Sequence, residues 1–159
     1  MQRRDLDLRD FDALIADAEH LLAAGYDRLG NWDLGATCRH LSISMHASID
    51  GLNYKPPFHY RFIRPFARRQ VFGKRRLPTG APAPTGLESP TGGDDADAVT
   101  ELKTAIERLK TATDFPHPHP VFGRITPQQW RDFHLIHGSH HLGFLIPRPQ
   151  ERNGENVRL

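Results

Sequence analysis

The chain has 159 residues, 38% of them hydrophobic and 25% charged, and a formal net charge of +2, which suits one domain over residues 1–159 in the soluble globular range. Its apolar runs are far too short to cross a bilayer, no apolar stretch of the signal-peptide kind follows Met1-Gln2-Arg3-Arg4-Asp5, and the single cysteine, Cys38, excludes an internal disulfide. A reducing cytoplasm is the expected setting, and so weak a charge balance predicts neither nucleic acid nor a membrane as partner.

Four long helices are predicted. The first runs from Asp10 to Ala24, with Phe11, Leu14, Ile15, Ala18, Leu21 and Leu22 at helical spacing and Gly25 placed to end it. The second runs from Trp32 to Leu52, with Asn31 or Asp33 as N-cap and a stripe of Leu34, Cys38, Leu41, Met45, Ile49 and Leu52. Gly51 or Asn53 ends it. Tyr54 to Gly93 reads as irregular. Phe58 to Phe72 suits a short basic helix broken near Pro65, and Pro78 to Gly93 a surface loop. The third long helix opens on Asp94, Asp95 and Asp97, acids that suit the positive end of a helix dipole. It continues through Val99, Leu102, Ala105, Ile106 and Leu109 and stops before Phe115-Pro-His-Pro-His-Pro120. The fourth has the best start signal, Thr126-Pro127-Gln128-Gln129, with threonine at N-cap, proline at N1 and glutamine at N3. It is expected to reach Phe144 or Ile146, before Pro147 and Pro149. No segment shows the two-residue alternation of a strand and no repeat is visible. The expected fold is all-α, an antiparallel four-helix bundle with a long crossover between the second and third long helices.

The chemistry is concentrated in the last helix. Four of the 10 histidines fall in His134-Leu-Ile-His137-Gly-Ser-His140-His141. At 3.6 residues per turn His134, His137 and His141 share a face with Trp130, Phe133, Phe144 and Leu145 on or beside it, so these imidazoles are expected to point inward. Buried imidazoles need partners, and a divalent metal is one that several can share. The pattern differs from a zinc protease helix, because Gly138 stands where HExxH requires glutamate. The other reading of the face is a set of polar residues lining a wet groove without metal. A tight site needs a third ligand, and the second helix offers His40 and His46. His46 points away from the apolar stripe. His40 sits at its edge beside Ser44, Ala47, Ser48 and Gly51, small residues that allow either a pocket between two helices or close helix packing.

Two stretches resemble a known family. Asn31-Trp-Asp-Leu-Gly-Ala-Thr-Cys-Arg-His-Leu41 resembles the second helix of DinB-like (YfiT-like) proteins, and His137-Gly-Ser-His-His-Leu-Gly143 resembles their last-helix motif, His-x-x-His-His-x-Gly. Within that superfamily the chain is most similar to a bacterial branch known only as a domain of unknown function. The similarity rests on Cys38-Arg-His-Leu41, Ser48-Ile-Asp-Gly51, His119-Pro-Val-Phe-Gly123 and His137 to Leu145. The resemblance implies a bundle holding one divalent metal ion, zinc or nickel, on His40, His137 and His141. It also implies a small-molecule substrate or low-molecular-weight thiol, since characterised relatives include thiol S-transferases and thiol-dependent isomerases. A homodimer is compatible with it. Many DinB-like proteins follow the last ligand with Arg-Gly-Gln, where this chain has Leu142-Gly143-Phe144.

Three imidazoles leave open positions on a metal, which can then activate a bound water or thiol. The expected function is therefore metal-dependent thiol transfer or hydrolysis, with a non-catalytic metal- or ligand-binding bundle as the alternative. His140 and His134 are the nearest candidates for a general base, or else supporting or surface residues. Cys38 lies on an apolar stripe and reads as a core cysteine, and His119 as a residue packing its loop. Arg61, Arg64, Arg68, Arg69, Lys74, Arg75 and Arg76 fall in sixteen residues without an acid. Arg61, Arg64 and Arg68 share a helical face that either guides an anionic thiol or phosphate or is simply solvated. Tyr60, Phe62, Phe66 and Phe72 are expected to pack inward.

Overall fold

The computed structural model describes residues 2–51, 56–80 and 93–149. Over these the chain is mostly helical. Its elements are α1 (Phe11–Ala24), β1 (Tyr26–Arg28), α2 (Leu34–Asp50), α3 (Tyr60–Lys74), α4 (Asp95–Thr111), α5 (Pro127–Leu142) and β2 (Leu145–Pro147). Local signals set the helix starts. The side chains of Asp10, Asp33 and Asp94 accept first-turn amides of α1, α2 and α4, and Thr126 and Gln129 form a reciprocal capping box at α5. Among the described residues, none of the helices is long and apolar enough to cross a membrane.

The apolar stripes of α1, α2, α4 and α5 meet in one core. Leu14, Ala18, Leu21, Leu34, Cys38, Leu41, Met45, Leu102, Ile106, Leu109, Ile136 and Leu142 lie in it at or near zero exposure. α2 packs most extensively on α4, and α1 touches both α4 and α5. Gly138 makes the α1–α5 approach close: a Cβ there would lie 2.4 Å from Leu14 Cδ1. Tyr26 ties three elements together. Its hydroxyl donates to Asp95 on α4 (2.7 Å) and accepts the Leu34 amide (2.9 Å), while Asp95 also accepts the Gly35 amide (2.7 Å).

The structure departs from the sequence reading in four places. β1 and β2 pair antiparallel, Tyr26 opposite Pro147 and Arg28 opposite Leu145, and three-residue strands are too short to show alternation. α5 accordingly ends at Leu142, because Leu145 and Ile146 are committed to that pairing. The basic segment forms a fifth helix of 15 residues that runs through Pro65 instead of breaking there. Pro65 is exposed, so water can reach the carbonyl that its missing N–H leaves unpaired. Finally, Phe62 and Phe66 point outward, at 70% and 71% exposure, and Leu22 is 38% exposed. Only Val71 of α3 is fully buried, so this helix leans on the core and does not enter it. Leu52, Asn53, Tyr54 and most of the expected loop lie outside the described residues.

Candidate metal centre

His137 and His141 stand one turn apart on α5, and His40 faces them from α2. His137 Nε2 lies 3.0 Å from His40 Nε2 and 3.0 Å from His141 Nε2, and all three ligand atoms fall within 4.8 Å of one another. His40 and His137 are buried and His141 is half-buried. An imidazole nitrogen presents either one N–H or one lone pair in the ring plane. His137 Nε2 therefore makes at most one good hydrogen bond, and its second close nitrogen faces its like. A cation about 2.0–2.1 Å from each nitrogen removes that conflict and, in tetrahedral geometry, spaces the nitrogens by about 3.3 Å, a few tenths more than the contacts seen. The donor set thus fits a small divalent ion.

The rings are held by aromatic neighbours. Trp32, just ahead of the α2 N-cap, stacks on His141 at 5.0 Å and 16° and leans on His40 at 4.8 Å. Phe133 stacks on His137 at 5.2 Å and joins a cluster with His119, Phe122 and Trp130. Burial first, and then the neighbouring imidazoles, hold His137 well below the usual histidine range. Burial first, then His40, His140 and Arg3, push His141 down to about 2. Both rings are neutral at pH 7, which is the ligating state.

The other histidines have other partners. Ser48 donates its one proton to the Met45 carbonyl (2.7 Å), so the 3.1 Å contact with His134 is a bond donated by His134 Nε2. His134 is fully buried, and burial pushes its pKa down to about 3. The small-residue strip of α2 is thus partly filled, with Ser48 receiving His134. His119 packs its loop as expected: its Nδ1 accepts the amides of Val121 and Phe122 (3.1 and 3.2 Å). His46 faces Arg108, which is itself paired with Asp50, and His59 is exposed at the start of α3. His140 is half-buried, with its Nδ1 buried and without a hydrogen-bond partner among the described residues. Cys38 is in the core, its thiol pushed up to about 12 chiefly by burial.

Two groups escaped the sequence reading. In the sequence Trp32 marks a helix start, and its place eight residues, about two turns, before His40 is the signal that sets it near that ring. Arg3 and Arg4 reach the end of α5 from the far end of the chain. Arg3 donates to the His140 carbonyl (3.1 Å) and lies over the Phe144 ring, and Arg4 donates to the Leu142 carbonyl (2.9 Å) while pairing with Asp17. The Arg61, Arg64 and Arg68 face is divided: Arg68 donates to the Arg124 carbonyl, Arg64 lies against Gly123, and Arg61 covers Phe58 and Phe62.

No curated protein and no solved structure matches the chain. A family model does, over residues 1–148, a span that includes α1 to α5, both strands and all three converging histidines. The chain accordingly belongs to DUF1569, a family of proteins of unknown function.

Proposed function

We propose that this chain is a DinB-like four-helix-bundle protein of the bacterial cytoplasm in which His40, His137 and His141 hold one divalent metal ion, zinc or nickel, and that it transfers a low-molecular-weight thiol to a small electrophile. The observation that carries the reading is the convergence of His40 Nε2 from α2 and His141 Nε2 from α5 on His137 Nε2, each at 3.0 Å. A divalent ion held by three neutral imidazoles lowers the pKa of a bound thiol or water and polarises an electrophile. The residues around the triad favour thiol transfer over hydrolysis. Trp32 and Phe133 flank it with apolar surface, His134 is committed to Ser48, and burial, then Arg3, pushes His140 down to about 4, which leaves it a weak base. A thiol acidified by a metal requires little further help from a base, whereas hydrolysis gains more from one. The same shortage of a base supports the second reading, a bundle that binds metal or ligand without turnover.

The test is metal analysis of protein purified without a histidine tag. Wild type and His46→Ala are expected to carry one ion per chain, and His141→Ala, His137→Ala and His40→Ala to lose most of it. Full occupancy in all of these variants would remove the site. Loss in His46→Ala with retention in His40→Ala would move it elsewhere on α2. Turnover of thiol and electrophile by the loaded protein separates the enzyme from the binding protein.

A further inference from the structure

The least explained surface of the molecule is the outer face of α3. Phe58, Phe62 and Phe66 are 70%, 70% and 71% exposed, and Ile63 is 46% exposed. Phe62 and Phe66 lie four residues apart on one helical face, and Phe58 continues that line at the helix start. The cations around them are exposed too: Arg61, Arg69 and Lys74 point away from the core, while Arg64 and Arg68 are turned toward the 123–124 loop. From Pro56 to Gly80 there is no aspartate or glutamate. The acids that reach this region, Asp7 and Asp5, pair with Arg75 and Arg76 past the end of α3, and a contiguous apolar patch flanked by cations is an interaction surface.

We propose that α3 docks the protein on an anionic lipid surface, with the phenylalanines entering the headgroup boundary and Arg61, Arg69 and Lys74 meeting the lipid charges. An amphipathic helix with aromatic residues on one face and Lys/Arg beside them lies in the plane of such an interface. Two other occupants fit less well. A second copy related by a two-fold axis would set this acid-free helix against itself and bring arginines together. Single-stranded nucleic acid stacks on separate aromatic faces, whereas Phe58 and Phe62 pack edge to face at 5.5 Å and 82° under the Arg61 guanidinium. A continuous stripe that includes an isoleucine suits acyl chains. The inner side of α3, with Val71 buried and Phe72 against Phe122, keeps the helix attached to the fold while its outer side is engaged.

The test is flotation of the purified full chain with vesicles of phosphatidylcholine alone or mixed with phosphatidylglycerol, at low and high salt, with sedimentation velocity run in parallel. Recovery is expected with the anionic vesicles only, and to fall at high salt. The double variant Phe62→Ser, Phe66→Ser is expected to weaken partition at least tenfold, and Arg61→Gln and Arg69→Gln about fivefold each. All these positions are exposed, so circular dichroism and metal content should be unchanged, which separates failure of this proposal from failure of the metal site. Absence of vesicle binding would overturn it, as would equal binding to neutral vesicles. A wild-type dimer that Phe62→Ser, Phe66→Ser converts to monomer would assign the face to a second copy. Displacement from the vesicles by a single-stranded oligonucleotide would assign it to nucleic acid.

Discussion

Trp32 connects the site to a measurable signal. Of the two tryptophans, Trp32 stacks on His141 at 5.0 Å, whereas Trp130 stacks on His134 at 5.8 Å. A nickel or copper ion on the triad should therefore quench Trp32 strongly. Titration of the metal-free protein is expected to lower the emission in wild type and in Trp130→Phe, and to leave Trp32→Phe nearly unchanged. The ring also restrains the His141 and His40 imidazoles, and loss of a group that orients a ligand typically weakens a metal about 10- to 100-fold. Trp32→Ala is expected to fall in that range by competition with a chelator. Phe62 and Phe66 show where residue-level reading fails. Their spacing marks one helical face, but spacing does not tell which face meets the core, and the structure turns this one to solvent.

At the level of elements, α5 matters most because it carries two of the three histidines. Its start rests on the Thr126–Gln129 capping box, and Thr126→Ala should cost about 1 kcal/mol in urea denaturation. Its seat against α1 rests on Gly138. Gly138→Ala would bring a methyl group to within 2.4 Å of Leu14 Cδ1 and should cost about 1–3 kcal/mol through overpacking. Leu14→Ala is expected to recover part of that loss, so a double-mutant cycle should be strongly non-additive; additive costs would place the strain elsewhere. These caps and stripes were legible because they are local signals. The β1–β2 pairing was not, because three residues carry no period and their partners lie more than a hundred positions away. Nor was the continuity of α3 past Pro65, which depends on which side of the helix meets water.

Taken whole, the molecule buries neutral histidines, and this sets its response to acid. Burial pushes His134 down to about 3, and burial with His134 nearby pushes His119 to about 3, against roughly 6.5 in an unfolded chain. As pH falls below 6.5 the unfolded state takes up protons that the folded state refuses. The stability is thus complete above that value and lost progressively as pH drops toward 3. Each residue should remove about 1.4 kcal/mol per pH unit, and the pair about 4 kcal/mol by pH 5. Urea midpoints of chelator-treated protein from pH 7.5 to 5 should fall by at least this much, because His137 and His141 are held down too. His119→Gln should start lower and fall less steeply, and an unchanged slope would show that His119 titrates in the folded state.

Sequence alone determined the four long helices, their caps, their buried stripes and the common face of His137 and His141, because periodicity and capping act within a few residues of one another. For the partner from α2 it offered two histidines: the stripe turned His46 away, and the resemblance named His40 as the ligand. The tertiary structure brings His40, not His46, to within 3.0 Å of His137, sets Trp32 over His141, gives Ser48 to His134 and leaves Phe62 and Phe66 in solvent. Those outcomes depend on the angle and rotation at which separate helices meet. Many distant side chains fix that geometry together through close packing, and no single stretch of the chain encodes it.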